Sequence, residues 1–79
     1  MTASTPRLEL RFGNAVRAAR ERKGFTQERL AEVASLNRSY LGEIERGLVT
    51  PSLSTISKLA EALGLAASEL ISHTEQPSA

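Results

Sequence analysis

Apolar residues recur along this chain chiefly at intervals of three and four, so the pattern predicts helices and requires no strand. Phe12, Ala15, Val16 and Ala19 stand at i, i+3, i+4 and i+7, with Arg11, Arg22 and Lys23 on other faces and Gly24 placed to end the helix. Thr26 is a good N-cap for a second, short helix, with Gln27 and Glu28 in its first turn and Leu30, Ala31 and Ala34 facing inward. Ser35 and Leu36 connect to Asn37, the next N-cap, and a third helix runs to Arg46 before Gly47 stops it. In "LVTPS" either Thr50, with Pro51 at the first helical position, or Ser52 can cap a fourth helix. Its inner stripe is Leu53, Ile56, Leu59, Ala60 and Leu63, and Gly64 breaks it. A fifth helix, at Ala67 to Ser72, carries Leu70 and Ile71 but has Ala66 where a capping oxygen would help, so it is expected to be marginal unless something packs on it. The expected class is all-α, with five helices between residues 8 and 72. Residues 1–7 and 73–79, small, polar and proline-containing, read as flexible tails.

The third helix divides its labour by angle. At 100° per residue, with Arg38 at zero, Gly42 falls at about 40°, Arg46 at about 80°, Ser39 at about 100° and Glu43 at about 140°, while Ile44 and Leu41 fall at about 240° and 300°. One face is therefore apolar, and the opposite face carries Arg38, Ser39, Glu43 and Arg46 around a glycine. Glu45, at about 340°, sits on the border, where a carboxylate is partly desolvated and needs a partner. Arg20, on the face of the first helix that adjoins Val16 and Ala19, is the candidate. The alternative is an ordinary solvated glutamate.

Composition narrows the function classes. With 79 residues the chain can form one small core, and a two-lobed enzyme with a deep cleft is not expected. There is no cysteine, so neither a disulfide nor a thiolate metal site holds the fold, and a reducing cytoplasm suits it. The longest apolar run is Leu65-Ala66-Ala67, far short of a membrane span, and the opening residues lack the apolar stretch of a signal peptide, so a soluble protein is expected. The net charge of +1 hides an asymmetry: residues 1–47 carry +3 and residues 48–79 carry −2. The third helix lies in the basic part.

A short helix, a brief connection and a second helix with a polar outer face is the organisation of a helix-turn-helix. The stretch "GFTQERLAEVASLNRSYLGEIERGLVTPSLSTISKLAEALGL", Gly24 to Leu65, resembles the lambda-repressor-like Xre family of bacterial and phage regulators. The likeness rests on Thr-Gln at the start of the second helix, Leu30-Ala31, the Tyr-Leu and Ile-Glu pairs of the third, Gly47, Pro51 and "LAEALGL", and it continues back through "RAARERKG". Within that family "LNRSYLGEIERG" is similar to the small restriction-modification controller proteins, and to many phage and toxin-antitoxin regulators.

The resemblance implies a DNA-binding transcriptional regulator whose third helix enters the major groove. Arg38 and Ser39 would face base edges, an arginine being able to bond guanine O6 and N7 together. Glu43 would accept from a cytosine amino group or orient Arg38, and Arg46 would reach a base or the backbone. Gln27 would bond a phosphate with help from the positive end of its helix. Thr26, Asn37, Tyr40, Thr50 and Ser52 would be further backbone contacts. The family also implies that Arg20 and Glu45 form a buried structural ion pair, and that a homodimer forms through the C-terminal part, with Leu65, Leu70 and Ile71 either in its interface or plain core.

Two residues depart from the family pattern. The turn commonly has glycine where this chain has Ser35, and a left-handed serine costs roughly 1 kcal/mol, which suggests a locally adjusted turn. Gly42 stands where a longer polar side chain often reads bases. It implies either close approach of DNA to the backbone or a packing requirement. Elsewhere the residues invite plainer readings. Arg11, Arg17, Arg22, Lys23 and Arg29 read as scattered surface charge, His73 has no second ligand for a metal, and Ser39 and Ser52 have no neighbouring base for nucleophilic catalysis. The expectation is a regulator that is not an enzyme and uses no cofactor. The rival expectation is an antitoxin-like or adaptor module whose main surface binds another protein.

Overall fold

A computed structural model describes residues 6–75, and all of the regular structure there is helical: α1 Leu8–Arg22, α2 Gln27–Ala34, α3 Arg38–Glu45, α4 Leu53–Ala62 and α5 Ala67–Glu75. The expected tails fall largely at residues 1–5 and 76–79, outside the described residues. The core gathers the inner stripes of all five helices, with Val16, Leu30, Leu41, Ile44, Leu59 and Leu70 essentially sealed from solvent.

The starts of the middle helices follow side-chain chemistry. Thr26 Oγ1 accepts from Arg29 N at 3.0 Å, and Asn37 Oδ1 accepts from Ser39 N at 2.8 Å and Tyr40 N at 3.2 Å. Of the two candidates before α4, Ser52 is the cap, accepting from Thr55 N at 3.1 Å. The Thr50 hydroxyl instead donates to Glu9 Oε2 at 3.2 Å, tying the α3–α4 loop to α1.

The first four helices end alike. At Gly24, Ser35, Gly47 and Gly64 the chain turns left-handed, and the next residue's N–H reaches back five residues to a carbonyl: Phe25 to Arg20, Leu36 to Ala31, Leu48 to Glu43 and Leu65 to Ala60. Ser35 therefore makes no local adjustment of the kind expected. It sits at φ 58°, ψ 45°, because its motif satisfies Ala31 O at 2.8 Å and half-buries Leu36.

Three other expectations are corrected. Leu53 is 84% exposed and is not part of the α4 stripe. It opens the helix two turns before Ala60, the buried residue on its side, and Thr55 takes the inward place beside Ile56 and Leu59. The fifth helix does not stop at Ser72. It runs to Glu75, because Thr74 is buried and donates its hydroxyl to Leu70 O at 3.0 Å. It also has a cap of a different kind, since Glu69 Oε1 reaches back to accept from Ala66 N at 2.7 Å, the half of a capping box that Ala66 itself cannot supply. Arg11 is the exception among the surface cations, being half-buried with its Nε enclosed.

Two glycines set how closely α1 approaches the end of α3. A Cβ on Gly13 would collide with the Ile44 carbonyl oxygen and lie 2.6 Å from that of Glu45, and one on Gly47 would lie 2.7 Å from Leu10 Cα. With nothing but hydrogen at these positions the backbones pack directly, and Arg20, on the Gly13–Val16 face of α1, is brought over the last turn of α3.

Candidate nucleic-acid interface

The inner side of α3 is fixed. Leu41 and Ile44 are fully buried, and Glu45 is only 6% exposed. Its carboxylate accepts from Arg20 Nε at 2.8 Å on one oxygen and from Arg20 Nη2 at 3.1 Å on the other. Arg20 Nη1 donates to Phe25 O at 2.9 Å, so one guanidinium joins α1, the turn before α2 and the end of α3. The hydrogen bonds to Glu45 are the largest cause of an Arg20 pKa raised above the ordinary arginine value, against the cost of burial. The cation is permanent at any working pH.

The outer side of α3 projects free groups. Arg38, Ser39 and Arg46 are exposed and Glu43 is half-exposed. Arg38 Nε lies 3.9 Å from Glu28 Oε2, both side chains being well solvated, so that attraction is weak and readily broken. Glu28 is a neighbour the sequence did not reveal, because no helical period connects the first turns of two different helices.

Gly42 does not lie open between them. It is buried, and an added Cβ would meet only Arg46 Nη1, at 3.3 Å. The Arg46 side chain covers it, and no neighbouring backbone demands a glycine. Of the two explanations offered by the sequence, a packing requirement therefore finds no support.

The residues expected to touch the backbone of DNA are differently occupied. Thr26, Asn37 and Ser52 use their side-chain oxygens as caps, leaving the Asn37 amide NH2 outward. Ser52 Oγ also lies 3.1 Å from Ser54 Oγ and donates to Thr55 Oγ1 at 3.0 Å. Gln27, first residue of α2, donates from Nε2 to Glu45 Oε1 at 2.9 Å. Tyr40 is half-buried against the core. Thr50 is committed to Glu9, whose half-exposed carboxyl is held below its ordinary pKa first by its own backbone N–H at the start of α1 and then by the Thr50 hydroxyl.

The residues expected at a dimer interface separate. Leu70 is 1% exposed within a single chain and belongs to its core, where α5 packs on α1, so it is corrected from interface to core. Leu65 and Ile71 are half-buried, and Ile71 lines an apolar cleft with Leu8, Phe12, Pro51 and Ile56. Leu48 and Leu53 add exposed apolar surface at 63% and 84%.

A profile of helix-turn-helix proteins matches residues 16–70, which covers α2, the Ser35 turn, α3 and α4 together with the second half of α1 and the start of α5. The chain belongs to the helix-turn-helix family. Its five helices have the lambda-repressor-like arrangement, with α2 and α3 as the helix-turn-helix itself. The chain is 46% identical over 59 residues to an immunity repressor protein of Bacillus phage phi105, covering 75% of this chain and 41% of that one, so it spans about two-fifths of that relative. It is 38% identical over 71 residues to the control protein C.BamHI of Bacillus amyloliquefaciens, covering 89% and 88% of the two chains. Among solved structures it is similar to the restriction-modification controller protein C.AhdI of Aeromonas hydrophila, with a TM-score of 0.76 and 46% identity over 77% of this chain and 92% of that one. It is also similar to the biofilm regulator SinR solved in complex with DNA, with a TM-score of 0.72 and 33% identity over 75% and 95%. These relatives are named as regulators, a repressor and controller proteins, not as enzymes. Among the described residues no helix is long and apolar enough to cross a membrane.

Proposed function

We propose that this protein is a sequence-specific DNA-binding transcriptional regulator of the cytoplasm, binding a near-palindromic operator as a homodimer with α3 in the major groove. The observation that carries the reading is the division of α3: Leu41, Ile44 and Glu45 are locked into the fold, while Arg38 and Ser39 at its first turn project into solvent with their hydrogen-bonding groups available. An anchored helix whose free end bears an arginine is what readout of a guanine edge requires. Arg38 and Ser39 read bases, Glu43 accepts from a base or steadies Arg38, and Arg46 reaches a base or a phosphate. Gln27, Asn37, Tyr40 and the Thr26 and Ser52 helix starts lie against phosphates. Thr50 joins them by exchanging its bond to Glu9 for one to a phosphate.

Two copies meet through Leu65, Ile71 and the adjoining apolar surface, which spaces the two recognition helices about 34 Å apart, one turn of duplex. The likeness to C.BamHI and C.AhdI over most of their lengths favours control of restriction-modification genes.

The test is Arg38→Ala, measured by fluorescence anisotropy on a selected operator and on random duplex. Specific binding is expected to weaken by about 1–3 kcal/mol while random-duplex binding and thermal stability stay nearly unchanged. Equal loss on both duplexes would remove Arg38 from base reading. Failure to prefer any duplex, before or after the substitution, would favour a protein-interaction module.

A further inference from the structure

Arg38 approaches Glu28 by one edge. Its Nε lies 3.9 Å from Glu28 Oε2, across the gap between the first turns of α3 and α2. Both side chains line a shallow groove there, with Thr26, Arg29, Glu32 and Leu36. Arg29 and Glu32 bond each other at 2.9 Å, so the other cation and the other carboxylate of that groove face one another. Among the described residues the carboxylate within 4 Å of Arg38 is that of Glu28, and not that of Glu43 on its own helix.

The edge used decides what stays free. A guanidinium is a planar fork of five N–H donors, and an acceptor on the Nε side leaves the far end, Nη1 and Nη2, able to bond guanine O6 and N7 together. Arg38 can therefore hold a base without releasing Glu28. Swinging to a phosphate is different. It takes the guanidinium away from its partner and leaves the Glu28 carboxylate unmatched against an anionic backbone, where like charges repel. In the free protein the pair is weak, its side chains being 61% and 79% exposed. A duplex lying over the groove excludes that water and strengthens the attraction.

We propose that Glu28 is a positioning residue for sequence readout: it steadies the Arg38 fork for a guanine edge and penalises the swing of Arg38 to a phosphate. The proposal rests on the DNA-binding reading above and deepens it. Arg38 supplies the contact to the base, and Glu28 supplies part of the preference for operator over other duplex. Glu43 is thereby left to accept from a base.

The experiment is a double-substitution cycle in the anisotropy assay, on operator and on random duplex, with Glu28→Gln, Arg38→Ala and the pair. Glutamine keeps the length of the side chain and removes its charge, and at 79% exposure it leaves the fold intact, which circular dichroism checks. Glu28→Gln is expected to tighten random-duplex binding about twofold and to weaken operator binding about twofold, so that the preference for operator falls about fourfold. In the Arg38→Ala chain the same substitution should shift both duplexes by one factor and leave their ratio alone. A general repulsion between Glu28 and DNA would act equally on both duplexes in the parent chain as well. A preference unchanged by Glu28→Gln would therefore overturn the proposal, as would a fall of the same size in the Arg38→Ala chain. Arg38→Ala alone separates the two levels. If it abolishes the preference while Glu28→Gln leaves it at the parent value, the positioning role falls and the base-reading assignment stands. If no duplex is preferred before any substitution, the DNA-binding reading falls and the proposal falls with it.

Discussion

Ser35 holds a left-handed backbone at the end of α2, where its motif closes the helix-turn-helix turn. The sequence places a serine where a left-handed conformation is wanted, and the expectation was that the turn would relax. The structure keeps φ at 58°, because the alternative would leave Ala31 O without its bond from Leu36 N and would lift Leu36 off the core. A penalty of about 1 kcal/mol is smaller than the loss of a hydrogen bond and an apolar contact together. Ser35→Gly should therefore raise stability by about 0.5–1 kcal/mol, seen as a melting temperature higher by several degrees, with operator affinity unchanged. An unchanged or lower melting temperature would show that the strain is already relieved by another route. Leu53 taught the reverse lesson: its period placed it in the stripe, but periodicity says nothing of how far neighbouring elements extend, and at the first turn of α4 none covers it.

At the scale of elements, the helices were legible wherever a stripe and a cap coincide. Thr26, Asn37 and Ser52 all cap as short polar side chains do, and the border angle of Glu45 on α3 indicated that it would need a partner. What could not be read were contacts between distant segments. The Thr50–Glu9 bond that leaves Ser52 as the cap spans 41 positions, and the Gln27–Glu45 bond spans 18. The same holds for α5, which extends to Glu75 because Thr74 is buried, a fact set by tertiary packing and absent from its local sequence. Its two apolar residues then divide between core and surface. Leu70→Asp should bury a carboxylate without a partner, at a cost of about 4 kcal/mol or more, and abolish the cooperative melt. Ile71→Asp, half-exposed, should leave the helical circular dichroism intact while sedimentation reports monomers. A folded Leu70→Asp chain would contradict the core assignment, and a folded Ile71→Asp chain of unchanged mass would move the dimer contact elsewhere.

Taken whole, the molecule is a scaffold that presents one short helix. Gly13 and Gly47 let α1 lie directly against the end of α3, Arg20 reaches over that end to Glu45, and Gln27 links the same carboxylate to α2. Family membership, fold class and the anchoring face of α3 were all legible in the chain, since each depends on residues close in sequence. The bases of the proposed operator and the geometry of the proposed dimer depend on molecules outside it. The central claim is that this scaffold reads DNA as a symmetric pair. The measurement that tests it most directly is selection of bound duplexes from a random pool at physiological salt. The account predicts enrichment of a near-palindrome with half-sites about one helical turn apart, and loss of guanine preference within each half-site for Arg38→Ala. A pool that emerges without any shared sequence would contradict it.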